Sequence, residues 1–235
     1  MARLVFDIET VGELWDGLDE TTQHVLTGWV EDEASTDAER EKLLTQIREG
    51  LGFSPLTGEI VAIGVLDVER SKGVVYYQSP DVAAADTEEG GIRFRPMSEK
   101  MMLEHFWSGA KDYDEFIGFN SRAFDAPFLT VRSAVHGIKP TVDLMEGRYL
   151  YQQRGVRHID LRDQLSYYGA VRRAGGLHLW CRAFGITSPK AGGTTGDDVA
   201  MLFREKKYLD IAKYNVGDLH ATRALYEKWQ EYLRA

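Results

Sequence analysis

The sequence predicts an α/β fold, with a mixed five-stranded sheet and flanking helices. An apolar, β-branched strand opens the chain, a hairpin pattern follows, and strand and helix signals then alternate ahead of a long helical tail. Arg3 to Thr10 reads as a short buried strand, because Leu4, Val5, Phe6 and Ile8 are apolar with strong β propensity. Glu59 to Val68 and Gly73 to Ser79 repeat the pattern around a Ser71-Lys72-Gly73 turn, so these three strands are expected side by side. Ser98 to Gly109 reads as a helix capped by Ser98, with Met101, Met102, His105 and Phe106 along one side. Glu115 to Asn120 supplies a fourth strand, Ala126 to His136 a helix ended by Gly137, and Arg157 to Leu161 a fifth strand. From about Leu177 the pattern is helical, and Asp210 to Leu233 is its longest periodic segment. Between the first two strands, Val11 to Gly58 inserts two helices, around Thr21 to Trp29 and Asp37 to Gly50, in an acidic stretch that reads as a lid or flanking lobe. One domain over residues 1–235 accommodates these elements. The Gly-rich pieces Ala174-Gly175-Gly176 and Gly192 to Gly196 are too short for linkers.

Composition narrows the function classes. Hydrophobic residues make up 43% and charged residues 28%, ordinary for a globular chain and unlike disordered or membrane composition. The longest apolar stretch, Ile60 to Leu66, is far shorter than the roughly 20 residues needed to cross a bilayer. Arg3, Asp7 and Glu9 interrupt the N-terminal apolar run, so no signal peptide is expected. A single cysteine, Cys181, excludes an intrachain disulfide framework and a thiolate-rich zinc site, and it reads as a buried apolar filler. The expected compartment is the cytoplasm, with no membrane partner. The net charge of -9 counts against a dedicated nucleic-acid binder. Lys139 to Lys190 nevertheless holds nine basic residues against four acidic ones, a local +5 on a body that otherwise carries -14. Such a run is either a patch for a polyanion or simply a solvated face.

Three acidic motifs stand out in order along the chain. Asp7 and Glu9 are separated by one residue on a strand, so both carboxylates emerge on one side and suit a hard divalent ion. Asp-x-Glu also occurs at Asp37/Glu39, Asp67/Glu69 and Asp86/Glu88, so only the apolar strand around the first pair sets it apart. Gly118 to Leu129, with Asn120, Phe124 and Asp125, runs from a strand exit into a helix, where α/β sheets place ligand-binding groups. Asp125 equally serves there as a helix-initiating residue before Pro127. Tyr214 and Asp218 lie four apart on the terminal helix and so share a face, and Gly217 between them is a poor helix former. Taken singly, that pair also fits ordinary surface placement.

Together, Phe6-Asp7-Ile8-Glu9-Thr10, Gly118-Phe119-Asn120 through Phe124-Asp125, and Tyr214 through Asp218 resemble the three motifs of the metal-dependent 3′ to 5′ exonucleases with four acidic residues and a tyrosine. Within that group the chain is most similar to the proofreading domain of B-family DNA polymerases, with no polymerase portion expected after it. The sister group carries a histidine five residues before its last aspartate, and Lys213 stands there. The resemblance implies an RNase H-like exonuclease fold and two divalent ions, Mg2+ or Mn2+. It implies that Asp7, Glu9 and Asp218 hold one ion, that Asp7 also reaches the second, that Asp125 supports that one through water, and that Tyr214 orients the attacking water. It further implies that Asn120 contacts the terminal sugar or phosphate and that Ile8 and Thr10 line the 3′ nucleotide pocket. Phe119 and Phe124 are candidate stacking faces for a single strand, and such aromatics read equally as core. Tyr149, Tyr151, Trp180, Arg148, Arg154 and Arg157 lie further out, and His158 with Asp160 reads either as a charge pair or as a satisfied structural histidine. The expected activity is hydrolysis of single-stranded DNA from its 3′ end, releasing nucleoside 5′-monophosphates. The same chemistry on RNA, and a binding module that has lost catalysis, are the competing readings.

Overall fold

The computed structural model describes residues 1–188 and 196–234; Lys190 and Gly192 to Thr195, named above, lie outside them. One seven-stranded mixed sheet organises the chain: β1 (Arg3–Gly12), β2 (Gly58–Asp67), β3 (Lys72–Tyr77), β4 (Thr87–Glu89), β5 (Ile92–Pro96), β6 (Glu115–Gly118) and β7 (Arg157–Asp160). Their spatial order is β4-β5-β3-β2-β1-β6-β7. The expected adjacency of the first three strands is present, with β1 and β3 each antiparallel to β2. β6 and β7 extend the other edge in parallel. The expected five strands become seven because β4 and β5 add an outer hairpin. Thr87-Glu88-Glu89 is wholly exposed and Ile92-Arg93-Phe94-Arg95 sets charges between its apolar residues, so neither forms an apolar run.

The alternation of β1 divides two cores. Leu4, Phe6 and Ile8 face one side, where they pack with α4 (Glu99–Ala110) and α5 (Asp125–Val135). Val5 and Val11 face the other, which is covered by α9 (Tyr208–Tyr232) through Ile211, Ala212, Leu219, Leu225 and Tyr226. On α4 the buried stripe is Met102, Leu103, Phe106, Trp107 and Ala110, while Met101 is exposed; the expected face is rotated by one residue. Glu99 is buried at the start of α4, where its carboxylate accepts Ile60 N–H at 2.8 Å and two bonds from Arg132 of α5. This buried charge ties both helices to β2.

β1 runs to Gly12 and β2 begins at Gly58, so the connecting segment is 13–57, with Val11 and Gly12 inside the strand. It contains α1 (Glu20–Thr27), α2 (Val30–Glu33) and α3 (Asp37–Gly50). Its end returns to β1. Thr10 Oγ1 donates to Gly52 O at 2.7 Å, and a Cβ on Gly12 would lie 2.6 Å from that of Leu51. The register slips between Glu9/Ala62 and Thr10/Ile60, leaving Val61 as an extra residue on β2. Such a bulge bends the strand and re-aims its side chains beside a site. The remaining helices are α6 (Leu161–Leu165), α7 (Leu177–Phe184) and α8 (Val199–Arg204). Among the described residues, no helix is long and apolar enough to cross a membrane.

Candidate functional site

Asp7 and Glu9 leave β1 on the α9 side, opposite Gly64 and Ala62 of β2. Asp218 comes from α9, which crosses that face because its apolar stripe seals the core. Oxygens of Asp7, Glu9 and Asp218 lie within 4.8 Å of one another. Asp125 begins α5 beyond the loop that leaves β6. The ladder between β1 and β6 ends at Val5, and Ile8 N–H donates instead to Asp125 Oδ1 at 3.0 Å. The carboxylate of Asp125 therefore completes the strand edge while standing beside the other acids.

Like charges packed this closely disfavour ionisation. Burial, then the charges of Asp125, Asp218 and Glu9, push the Asp7 carboxyl well above its ordinary range. Glu9 is raised by burial and by Asp218, against the hydrogen bond from Asn215. Asp125 rises to about 7, burial outweighing the bond from Ile8. A divalent cation would relieve this repulsion, and an all-oxygen donor set of this span fits a hard ion such as Mg2+ or Mn2+. Asp7, Glu9 and Asp218 are the side chains placed to hold it.

Tyr214, one turn before Asp218, is half-buried and bonded to that carboxylate. Burial and the three neighbouring acids hold its hydroxyl far above the ordinary phenol range, so it remains a proton donor. A family model described as a predicted 3′-5′ exonuclease related to the exonuclease domain of PolB matches residues 57–234. The chain belongs to that family.

The matched segment includes Asp125, Tyr214 and Asp218, while Asp7 and Glu9 precede it and meet Asp218 through the fold. A family B DNA polymerase from the hyperthermophilic archaeon Pyrobaculum calidifontis is similar over 97% of this chain, with a TM-score of 0.57 and 20% identity. At that identity the likeness is one of fold. The exonuclease-family chain spans 24% of the polymerase's length. No curated protein matches it.

Around the carboxylates of this exonuclease-family chain, the other expected residues are placed as follows. Asn120 takes a left-handed φ of 62° at the β6 exit, a conformation asparagine tolerates, and its Oδ1 accepts from Arg162 at 2.7 Å. Phe124 is half-buried between Phe128 and Phe53, the latter contributed by the segment after β1. Ile8 has its side chain buried on the opposite face from Asp7 and Glu9, so only its backbone reaches the site. The Thr10 hydroxyl is engaged by Gly52. Phe119 and Trp180 pack against the α9 core instead of standing free. Arg157 is at the far end of β7, paired with Glu115 at 3.3 Å. His158 is the satisfied structural histidine: buried, it bonds Leu144 O and Ser121 Oγ, each at 2.8 Å, and burial lowers its pKa to about 4. Asp160 accepts three backbone N–H groups, from Asn120, Arg122 and Arg162, and so pins the β6 and β7 exits together. Cys181 is buried, and burial raises its thiol to about 11.

Asn215 is the residue the sequence reading missed. Its Nδ2 donates to Asp7 Oδ2 at 2.8 Å and approaches Glu9 Oε1 at 3.5 Å, holding both strand carboxylates from α9. Its Oδ1 is buried with no hydrogen-bond partner and presses on Gly64, where a Cβ would come within 1.8 Å. A usable signal was present: Asn215 lies at four-residue spacing between Ile211 and Leu219, both on the buried stripe of α9.

Proposed function

We propose that the protein is a divalent-metal-dependent 3′ to 5′ exonuclease that removes nucleoside 5′-monophosphates from the 3′ end of single-stranded DNA. The observation that supports this most directly is the convergence of Asp7, Glu9 and Asp218, from the two ends of the chain, within 4.8 Å. When bound, a pair of Mg2+ or Mn2+ ions supplies an ionised water at neutral pH and neutralises charge on the attacking and leaving oxygens. The side chains do the positioning. Asn215 fixes the rotamers of Asp7 and Glu9, so the donor oxygens need no reorganisation. Asp125 holds the β1 edge by accepting from Ile8 and stands beside the other acids, where it would support a second ion through water. Tyr214, kept protonated with its O–H directed to Asp218, orients the water through its phenol oxygen as acceptor and does not act as the base. Asn120 stands at the strand exit as the candidate contact to the terminal nucleotide.

The test compares 3′- and 5′-labelled oligonucleotides of DNA and RNA, single- and double-stranded, with Mg2+, Mn2+ or chelator. Release of mononucleotides from single-stranded DNA with either ion and none with chelator is the expected result. Asp7→Ala and Asp218→Ala are each expected to lower the rate by at least about 1,000-fold. Normal rates in either variant would refute the site assignment, and preferential digestion of RNA would replace the substrate.

A further inference from the structure

Four arginines of the basic run read from the sequence, Arg148, Arg162, Arg172 and Arg173, join Arg122 in a cleft outside the carboxylate cluster. Its volume is about 700 Å³, and its walls come from the exits of β6 and β7 and from the segment after α6. Arg122, Arg148, Arg162, Arg172 and Arg173 line it, with Asn120 on its edge. The two acids in the wall, Asp160 and Asp163, are already committed. Asp160 accepts three backbone N–H groups, and Asp163 pairs with Arg148 at 2.9 Å. Arg122 is aimed by bonds to the Leu144 and Met145 carbonyls, which orient its guanidinium without neutralising it. With Arg148 paired to Asp163, Arg122, Arg162, Arg172 and Arg173 still concentrate positive charge in one cleft of a chain of net charge -9, which suits an anionic ligand.

Location and aromatic content indicate which anion. β1, β6 and β7 are parallel neighbours, so the cleft at the β7 exit begins about 10 Å, two strand spacings, from the carboxylates of β1. Arg162 bonds Asn120 and thereby joins the cleft to the loop that ends in Asp125. From Arg148 a row of tyrosines leads outward. Its guanidinium lies over Tyr168, Tyr168 meets Tyr149 edge-on at 4.5 Å, and Tyr149 stacks on Tyr151 at 5.6 Å and 11°. Tyr151 is 83% exposed. Cationic groups interleaved with exposed aromatic faces match a single strand, whose phosphates need charge and whose bases need stacking partners.

We propose that this cleft and its tyrosine row bind the single-stranded nucleic acid upstream of its 3′ end, phosphates on the arginines and bases on Tyr149 and Tyr151. The inference rests on the nuclease reading for its directionality, but binding can be measured apart from cleavage. Anisotropy of a fluorescent single-stranded 20-mer would be followed in chelator over a range of salt concentrations. The comparison is between the wild type, Arg172→Ala/Arg173→Ala, Tyr151→Ala, and the charge-matched control Arg40→Ala/Lys42→Ala on α3. The cleft variant is expected to bind about tenfold more weakly, with the slope of log affinity against log salt reduced by about 0.7 per lost phosphate contact. Tyr151→Ala is expected to weaken binding without changing that slope, and the control to match the wild type. In cleavage assays with metal, the cleft variant's defect is expected to shrink as the substrate is shortened to a dinucleotide. Wild-type affinity and slope in Arg172→Ala/Arg173→Ala, or an equal loss in the control, would overturn the proposal. A wild type that binds the 20-mer through this cleft but trims nothing with any metal would retain the cleft and refute the nuclease reading.

Discussion

His158 shows how one buried side chain sets a pH dependence independent of the carboxylates. Both ring nitrogens are bonded and the ring packs against Phe6, so protonation has no outlet. Its pKa is lowered to about 4, whereas the unfolded chain keeps a value near 6.5. Below that unfolded value the denatured state binds a proton that the native state refuses. Stability from this group is therefore complete above about pH 6.5 and is lost as pH falls toward about 4, by about 3 kcal/mol in total. In urea unfolding from pH 7 to 4.5 this loss is read as the difference between the wild type and His158→Gln, which cancels the opposite contribution of the carboxylates common to both. The stability advantage of the wild type over His158→Gln should shrink as pH falls, and a constant difference would remove the assignment.

At the scale of elements, the packing of α9 on β2 determines whether the site closes. Gly64 faces Asp7 across the sheet and leaves room for Asn215, and an added Cβ would also lie 2.8 Å from Leu219 Cδ1. Gly64→Ala must push α9 away from the strands or turn Asn215 out of the cluster. The expected cost is about 2–3 kcal/mol, read by thermal unfolding, together with weaker Mn2+ binding read by calorimetry. A stable variant with unchanged Mn2+ affinity would show that the contact is not limiting. These elements differed in how plainly the sequence announced them. β1, β2, β3 and β6 were legible because each has an apolar or β-branched run, β7 carried only Ile159 among polar residues, and strand alternation by itself placed Asp7 and Glu9 together. β4 and β5 were not: β4 is exposed and polar throughout, and β5 offers only the brief alternation of buried Ile92 and Phe94 with two arginines. Ile8 and Asn215 mark the same boundary within the site. A motif names positions along the chain, but which face a side chain takes, and which polar residue in a buried stripe meets an acid, depend on tertiary packing.

For the whole molecule, the carboxylate cluster works against the stability of the metal-free fold. The folded-state pKa values of Asp7, Glu9 and Asp125 are raised, so the native state holds protons that the unfolded chain releases. The sign is opposite to that of His158: stability from these groups is present below about pH 4 and is lost as pH rises through their raised values, about 7 for Asp125. Asp7→Asn removes one charge from the cluster and keeps a carbonyl oxygen able to accept from Asn215. In chelator at pH 7 that variant should be more stable than the wild type by about 1–2 kcal/mol, or about 4 °C in Tm for a chain of this size. The gain should fade as pH is lowered toward 4, where the wild-type acids are protonated as well. Saturating Mg2+ or Mn2+ should reverse the order, because an ion that binds only the native state stabilises the wild type by mass action and the variant much less. A wild type whose Tm ignores both ions, or an Asp7→Asn that is destabilised in chelator at pH 7, would mean that the three acids are not held together against their own repulsion.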